Sequence, residues 1–147
     1  MLLYNQKGFT LTEIIVLIII LGIIAGFTIP NYRKSVEAEF ERTARFQLEN
    51  IYKAEQIYRA KAKDYWPDDP SAVGTDQDIT AINDALFLNI TEEGMTYICH
   101  RDASDHIKCT ATRDGTTFQL GICVDIDDTI CCDAGTCPSA SLPACGC

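Results

Sequence analysis

The sequence predicts an α+β fold, in which a long N-terminal helix packs on a small antiparallel β-sheet and the chain ends in a disulfide-rich tail. Three observations predict it. An apolar block over residues 14–29 leads into helix-favouring sequence that runs to about Lys63. Segments rich in Thr, Ile, Tyr and Phe follow, and all eight cysteines lie between Cys99 and Cys147. We therefore expect a separate N-terminal helix and one small head domain over residues 64–147.

The charge balance argues against nucleic acid as a partner. Lys and Arg number 12 against 21 Asp and Glu, which gives a net charge of −9, so polyphosphate backbones would be repelled. An even number of cysteines in a small domain that follows a membrane-spanning segment favours disulfides formed outside the reducing cytosol.

The apolar block is long enough to cross a membrane when its flanks are included. Residues 14–29 contain no charged side chain, and residues 9–30 would form a helix of about 33 Å, which covers a hydrocarbon core. Lys7 precedes the block and Arg33 and Lys34 follow it, so the distribution of basic residues does not fix the orientation.

Glu13 is the feature that an ordinary membrane helix does not explain. A carboxylate within an apolar helix costs roughly 2–4 kcal/mol unless it is paired or near the interface, so we expect something to compensate it. A conventional signal peptide that ends near residues 25–26, or a simple single-span anchor, accounts for the apolar block but leaves Glu13 unexplained.

The residues around Glu13 form a specific pattern. The stretch Lys7-Gly8-Phe9-Thr10-Leu11-Thr12-Glu13 precedes the apolar block. It resembles the prepilin signal of the type IV pilin and type II secretion pseudopilin superfamily, with a short polar leader ending in Gly, then Phe, then Glu five residues into the mature chain. The resemblance covers residues 7–32, and Thr12 departs from it because many members carry an apolar residue there. Further matches at the family's usual offsets are Gly22, Pro30 and Tyr32.

The resemblance implies how the N-terminus is processed. A prepilin peptidase would cut between Gly8 and Phe9, release residues 1–8 as a leader peptide and methylate the new α-amino group of Phe9. Glu13 would then accept the Phe9 ammonium of a neighbouring subunit, whereas an isolated subunit would leave Glu13 exposed to lipid. Such a pair sets the register of subunits more than it adds stability.

Small residues and a proline interrupt the apolar block. Gly22 and Gly26 have the small-xxx-small spacing that lets membrane helices approach closely. Pro30 removes one backbone donor and favours a kink just beyond the block. We assign filament assembly to Phe9, Glu13, Gly22, Gly26 and Pro30. The two glycines and the proline would also let the helix loosen locally.

The second half of the helix is amphipathic. Residues 31–63 contain no Pro or Gly, and with residues 9–30 they predict a single helix from about Phe9 to Lys63, about 80 Å long. We expect the head domain to cover the distal half and other subunits to cover the proximal half. Apolar residues recur at intervals of three and four, namely Tyr32, Val36, Phe40, Ala44, Leu48 and Ile51, then Ala54, Tyr58 and Ala62.

The head domain begins with a loop over residues 64–76, where Pro and Asp interrupt the helix. Tyr65 and Trp66 are expected to pack the helix end onto the domain. Asp78 would cap a short helix whose buried side carries Ile79, Ile82, Ala85 and Leu86.

Three β-strands are predicted after this helix. They cover residues 95–99, 107–113 and 116–125, which are rich in Thr, Ile, Tyr and Phe. Asp114-Gly115 would form a tight hairpin turn between the second and third strands. The strands would form an antiparallel sheet packed on the long helix.

The cysteines predict disulfides but not their connectivity. Residues 131–147 carry five cysteines and almost no other apolar side chain, so this tail is either stapled by disulfides or disordered. Adjacent Cys131 and Cys132 are expected to take different partners, and Cys99 could pair with Cys109 on the adjacent strand. The candidates are Cys99, Cys109, Cys123, Cys131, Cys132, Cys137, Cys145 and Cys147.

Metal and catalytic sites are weakly indicated. Cysteines with His100 and His106 could bind zinc, but no C-x-x-C motif is present. An acidic loop loosely resembles the calcium loop of some pseudopilins, but it lacks the EF-hand glycine and terminal glutamate, which favours a solvated turn. No nucleophile, phosphate-binding or dinucleotide motif occurs, so we expect no enzyme, cofactor or metal. The acids of the loop are Asp125, Asp127, Asp128 and Asp133.

The resemblance implies the type IV pilin fold and a structural subunit of a pilus-like filament. Its partners would be copies of the chain, minor pilins, the prepilin peptidase and an inner-membrane assembly platform. The chain would lie in the inner membrane as a single-pass protein before assembly and in an extracellular or periplasmic filament afterwards. The alternative is a secreted or anchored cysteine-rich binding domain that does not polymerise. The choice among pilus, secretion pseudopilus and DNA-uptake pilus stays open.

Overall fold

The computed structural model describes residues 8–147 apart from residues 93, 117, 127, 136 and 138–140. The expected leader therefore lies outside the described residues except for Gly8. An α+β fold with a long N-terminal helix and an antiparallel sheet is confirmed. In chain order its elements are helix α1 (Leu11–Ala62), a short 3₁₀ turn (Pro70–Ala72), helix α2 (Ile79–Leu86) and strands β1 (Met95–Arg101), β2 (Ile107–Arg113), β3 (Gln119–Cys123) and β4 (Ile130–Ala134).

Helix α1 is 52 residues long, which confirms the single long helix expected from the sequence. It ends where Lys63 takes a left-handed conformation with φ 71°, and the Lys63 N–H donates to the Arg59 carbonyl at 2.8 Å, as at many helix C-termini. The chain divides into two compact units, one up to Glu37 and one from Ala38 to Cys147. Each is described by itself below.

The part of α1 within the second unit provides one side of the head core. Ala44, Leu48 and Ile51 are fully buried and recur at helical spacing. The predicted stripe is therefore buried from Ala44 to Ala54, whereas Tyr32 and Ala62 at its two ends are exposed. Each fully buried aliphatic side chain contributes about 1.5–3 kcal/mol. The same apolar cluster contains the strand residues Met95, Tyr97, Ile107, Ala111, Leu120 and Ile122.

The connection between α1 and the sheet forms as the sequence predicts. Tyr65 is buried and Trp66 packs partly buried against the core. Asp78 Oδ1 accepts a hydrogen bond from Ala81 N–H at 3.0 Å and caps α2. Ile82 and Leu86 are the buried residues of α2, and Ile79 and Ala85 pack partly buried beside them.

The sheet is an antiparallel meander in the order β1-β2-β3-β4. The expectation of three strands was wrong, because residues 130–134 form a fourth that pairs with β3. This strand carries the adjacent Cys131 and Cys132, which belong to the segment expected to form the tail. The third predicted strand is also shorter than expected, since the chain turns after Cys123. Asp114 and Gly115 form the turn after β2.

Four disulfides include all eight cysteines. Cys99 and Cys109, directly opposite each other on β1 and β2, are bonded, which confirms that candidate pair. Cys131 and Cys132 take different partners, as expected. The tail is therefore stapled, through the bonds Cys123–Cys147, Cys131–Cys145 and Cys132–Cys137.

The stapled tail covers the outer edge of β4. The Cys132 N–H donates to the Pro143 carbonyl at 2.7 Å, and Cys132 forms a parallel bridge with Ala144. At the other edge of the sheet, Gln77 forms an antiparallel bridge with Cys99 of β1. Both edges thus carry local cover, which protects them from pairing with strands of other molecules.

Two buried charged groups hold the loop that follows α1. Glu55 is fully buried, and its Oε2 accepts a hydrogen bond from Trp66 N–H at 2.9 Å. Arg101, also buried, donates to Asp64 Oδ1 at 2.8 Å and to the Tyr65 carbonyl at 3.1 Å. The hydrogen bond from Arg101 lowers the pKa of Asp64.

Burial dominates the titration of Glu55. It raises the pKa of Glu55 to about 8, although the Trp66 N–H and the charge of Arg101 act in the opposite direction. Glu55 Oε1 and Arg101 Nε are buried without a hydrogen-bond partner among the described residues. A protonated Glu55 avoids placing an unpaired carboxylate charge in this buried region.

The stability of the protein should fall as pH rises through the range set by Glu55. The folded pKa of about 8 lies above the ordinary value of 4.5, so the folded state holds this proton more tightly than the unfolded chain does. Its contribution is complete below pH 4.5 and is lost progressively up to about pH 8, and it is on the order of 5 kcal/mol. Urea unfolding of the full chain in detergent, followed by fluorescence of the one tryptophan, measures it.

Two variants control this experiment. Glu55→Gln keeps the shape of the side chain but does not titrate, so its unfolding free energy should change much less between about pH 5 and pH 8. Glu49→Gln removes an exposed carboxylate from the same helix and should keep the wild-type pH dependence. The same slope in wild type and Glu55→Gln would contradict the assignment.

Gly121 of β3 should not tolerate a side chain. A Cβ at this position would lie 2.9 Å from Cys145 Sγ and 3.5 Å from Cys131 Sγ, and a disulfide cannot move aside as a flexible side chain does. Gly121→Ala should therefore lower the unfolding free energy by about 1–3 kcal/mol. Gly146→Ala is the matched control, because no heavy atom lies within 4 Å of its added Cβ. Equal urea midpoints for the two variants would show that the contact is not tight.

Candidate assembly segment at the N-terminus

The first part of α1 exposes an apolar surface that its own chain does not cover. Within the described residues, α1 is the one helix long and apolar enough to cross a membrane, and none of its most apolar window is buried. The large apolar side chains between Phe9 and Ile29 are 44–78% exposed. A surface helix of a soluble domain buries one face, so this segment requires lipid or other protein chains around it.

Thr10 and Glu13 form a capping box at the start of α1. The Thr10 N–H donates to Glu13 Oε2 at 2.8 Å, and Thr10 Oγ1 donates to the same oxygen at 2.7 Å. In return, the Glu13 N–H donates to Thr10 Oγ1 at 3.3 Å. The box satisfies backbone donors of the first turn and places a carboxylate where the helix dipole favours negative charge.

This capping box revises the expectation for an isolated subunit. Glu13 is exposed, as expected, but it is not unpaired, because Thr10 supplies two donors. The T-x-x-E spacing of Thr10 and Glu13 is a helix-start signal in the sequence, and we overlooked it. A carboxylate has two oxygens and several acceptor positions, so Glu13 can accept a further donor from outside the chain.

Phe9 and Glu13 lie on one face of the segment. Phe9 precedes α1, yet its side chain lines the same shallow groove as Glu13. Apolar side chains continue this face and line a shallow groove along it, namely Val16, Leu17, Ile20 and Leu21. The carboxylate is therefore the acceptor at one end of an otherwise apolar strip.

The bond expected to be cleaved lies outside the helix. Gly8, Phe9 and Thr10 precede α1 and are exposed, and no heavy atom lies within 4 Å of a Cβ built on Gly8. A peptidase can bind an exposed, non-helical peptide without unfolding a helix first. The geometry is compatible with cleavage between Gly8 and Phe9.

Gly22 and Gly26 form an open strip of backbone. No heavy atom lies within 4 Å of a Cβ built on either residue, so another helix could approach closely there. The helix is continuous through Pro30, but the side chain of Pro30 lies outside the described set. Since proline has no N–H, the Gly26 carbonyl lacks its usual donor four residues later.

The other candidate ligands are engaged with partners in the head. His100 Nδ1 lies 3.1 Å from Asp76 Oδ1, and His106 Nδ1 lies 2.7 Å from Asp125 Oδ2. The hydrogen bond to the Asp125 carboxylate raises the pKa of His106. All cysteine sulfurs are in disulfides.

The acidic loop is likewise partly occupied. Asp133 Oδ1 accepts a hydrogen bond from Lys108 Nζ at 2.9 Å, and Asp125 Oδ1 accepts one from the Ile107 N–H at 3.0 Å. Asp127 lies outside the described residues. Within the part of the chain that the structure describes, no group of three or more His, Cys, Asp or Glu side chains is arranged to hold a metal ion.

Comparison with known proteins points to the same segment. The family described as the prokaryotic N-terminal methylation motif matches residues 3–29, a range that contains Gly8, Phe9 and Glu13. The matched range is the segment whose residues resemble the prepilin signal. The pilin-type segment therefore coincides with the uncovered part of α1.

Two curated relatives extend the similarity beyond this segment. The chain is 36% identical over 56 residues to type II secretion system core protein G of Pectobacterium carotovorum subsp. carotovorum, which covers 38% of this chain and 36% of the relative. It is 36% identical over 74 residues to fimbrial protein EcpC of Eikenella corrodens, covering 50% of this chain and 48% of that protein. The matches thus span between about a third and a half of these relatives. No solved structure matches the chain significantly.

Proposed function

We propose that the protein is a structural subunit of a type IV pilus-like filament, cleaved and N-methylated by a prepilin peptidase and assembled through its N-terminal helix. The observation that supports it best is the exposed carboxylate of Glu13 on an apolar helix that the rest of the chain leaves uncovered. The pilin-type match over residues 3–29 supports the same proposal. In this proposal the subunit has a structural role and does not act as an enzyme.

Cleavage after Gly8 would create the second charge that assembly needs. The new α-amino group of Phe9 is largely cationic at neutral pH, since such groups titrate near pH 8. An ammonium and a carboxylate that are buried together offset each other's desolvation cost, whereas either one alone in lipid does not. Thr10 holds the Glu13 carboxylate in place, so the acceptor is oriented before a neighbouring subunit arrives.

The small residues of the segment would then determine how closely subunits pack. Van der Waals contact drives helix association in membranes, and the open backbone at Gly22 and Gly26 permits it. The Gly26 carbonyl, freed by Pro30, is a point at which the helix can loosen with little loss of hydrogen bonding.

The proposed filament function also implies the partners of the subunit and its location in the cell. Before assembly, the subunit spans the inner membrane once and meets the prepilin peptidase and the assembly platform. After assembly it lies in an extracellular or periplasmic filament with copies of itself and minor pilins. The named relatives include one secretion-system protein and one fimbrial protein, so the proposal does not choose between the two kinds of filament.

Peptide mass spectrometry of the chain from membranes or filaments should find an N-terminus at Phe9 that carries one methyl group. Gly8→Val should accumulate the uncleaved, unmethylated chain, because a branched side chain replaces the open glycine at the cleaved bond. Thr12→Leu is the matched control, and it should be processed as wild type. A mature chain that begins near Phe27 would instead support the cysteine-rich binding domain.

Filament assembly should require the charge of Glu13 and not only its capping role. Glu13→Gln keeps an acceptor for Thr10, since Gln also occupies this position of a capping box, but it cannot pair with an ammonium. We expect Glu13→Gln and Glu13→Ala to enter the membrane normally and to lower the amount of sheared filament about tenfold or more.

Thr10→Val provides the complementary control. It removes the hydroxyl of the capping box and costs about 1 kcal/mol at the helix start, yet it should still assemble. Filament yield would be measured by electron microscopy and by quantifying subunits in the sheared fraction. Wild-type yield from Glu13→Gln would rule out the charge pair.

A further inference from the structure

Phe87 is an unusual residue for its place in the head. It follows α2 in the left-handed conformation, with φ 55° and ψ 41°, where glycine is the usual choice because a side chain costs about 1–2 kcal/mol. Its side chain is 89% exposed, so burial in its own chain does not offset that cost. A strained backbone that persists suggests a function for the residue.

The position of Phe87 is fixed by its surroundings. Asn83 Nδ2 donates to the Ile90 carbonyl at 2.8 Å, and Asn83 Oδ1 accepts from the Ile90 N–H at 2.9 Å. The Leu88 N–H donates to the Asn83 carbonyl at 3.1 Å. The turn after α2 therefore holds the aromatic ring outward on a rigid support, as in a preorganised contact residue.

Phe87 stands at one end of an apolar groove between α1 and α2. The groove has a volume of about 270 Å³, and Ile57, which also lines it, is 59% exposed. Lys61 is the charged residue among its described lining residues. We call Phe87, Ile57 and Lys61 the knob surface.

A second apolar groove lies at the stapled tail. It has a volume of about 220 Å³ and is lined by Ile126, Pro143, Ala144 and the disulfide-bonded Cys123 and Cys131. We call these five residues the tail groove. Sulfur atoms and small apolar side chains suit an aromatic ring.

The two surfaces are built from different residues, and each has an exposed side chain of opposite charge in its lining or beside it. α2 packs on β1 at one edge of the sheet, whereas the tail covers β4 at the other edge. Lys61 lines the groove beside Phe87, while exposed Asp128 immediately precedes Thr129, a further lining residue of the tail groove. Opposite charges favour contact between unlike surfaces and disfavour contact between like ones.

We propose that the knob surface of one copy docks into the tail groove of a second copy, with Phe87 in the groove and Lys61 near Asp128 of the neighbour. The proposal rests on the filament function and names a head-to-head contact for it. Because the two surfaces differ and share no residue, one docked pair leaves the groove of one copy and the knob surface of the other free, and repetition of the contact gives an open array instead of a closed dimer.

Site-specific photo-cross-linking in the full chain tests this contact. With p-benzoyl-phenylalanine at position 87, irradiation of assembled protein should give dimers and higher ladders. Peptide mapping should place the bond within residues 123–146 of another copy. The same probe at Phe46, an exposed aromatic of α1 that does not line the groove, should give at least about tenfold less of this product. Bonds from position 87 that are absent, internal, to lipid or to another protein overturn the proposal.

Phe87→Gly separates docking from folding. Glycine suits the left-handed position, so the thermal midpoint of the variant should equal or exceed that of wild type. Loss of the aromatic ring should lower the assembled fraction about tenfold. A well-folded Phe87→Gly protein that assembles like wild type contradicts the docking model.

A charge exchange tests the choice of partner surface. In chains that carry the probe at position 87, Lys61→Glu should lower the intercopy product about two- to fivefold, as expected for an exposed pair. Adding Asp128→Lys should restore it. A failure of the second change to restore the product counts against the pairing.

The experiments distinguish a failure of the proposed head contact from a failure of the proposed filament function. Filaments with methylated Phe9 that lack the cross-link from position 87 would leave the filament function standing and overturn the contact. The cross-link in a preparation without filaments would support the contact and contradict the function.

Discussion

The fold depends on a helix whose most apolar stretch is left uncovered by the described part of its own chain. Apolar side chains that stay exposed over several turns are unstable in water, so the segment requires lipid or other protein chains around it, which in the proposed filament are copies of itself. Both surroundings are apolar, and apolar contact alone does not select which helix packs beside the segment or in which register. Glu13 can supply that specificity, because a carboxylate in such an environment is tolerated only beside a matching charge. The capping box with Thr10 keeps this carboxylate at a defined place on the helix.

The head meets a different requirement, which is to keep the edges of its sheet from pairing with other sheets. Its sheet is closed at one edge by Gln77 and at the other by residues 143–144, so its backbone is not free to pair with other sheets along those edges. Contacts between heads must then form through side chains. The buried Glu55 and Arg101 serve the same end, since they fix the loop that joins the helix to the sheet.

The sequence predicted those features that local patterns determine. The second half of helix α1 follows from uninterrupted helix formers with a clear period, the first half from the apolar block, and the cap of α2 from a single aspartate. Strand β4 was not predicted, because the cysteine-rich segment that contains it has no strand pattern in the sequence. The strand becomes evident only once the disulfide partners of its cysteines are known. Glu55 was missed for a different reason, since a carboxylate one position from the buried Ala54 reads as a solvated side chain, and only the tertiary contact with Trp66 shows that it is inside. The capping box was within reach of the sequence, whereas the two head grooves depend on residues far apart in the chain.

The order of the tail disulfides has a consequence for how the head matures. The bond between Cys132 and Cys137, five residues apart, lies inside the loop closed by Cys131 and Cys145, which in turn lies inside the loop closed by Cys123 and Cys147. Each closure brings the next pair of thiols nearer, because it shortens the free chain between them and so reduces the entropy lost in joining its ends. The disulfides can therefore form in order from the innermost pair to the outermost. Thiol–disulfide exchange is needed only when a pair forms outside this order.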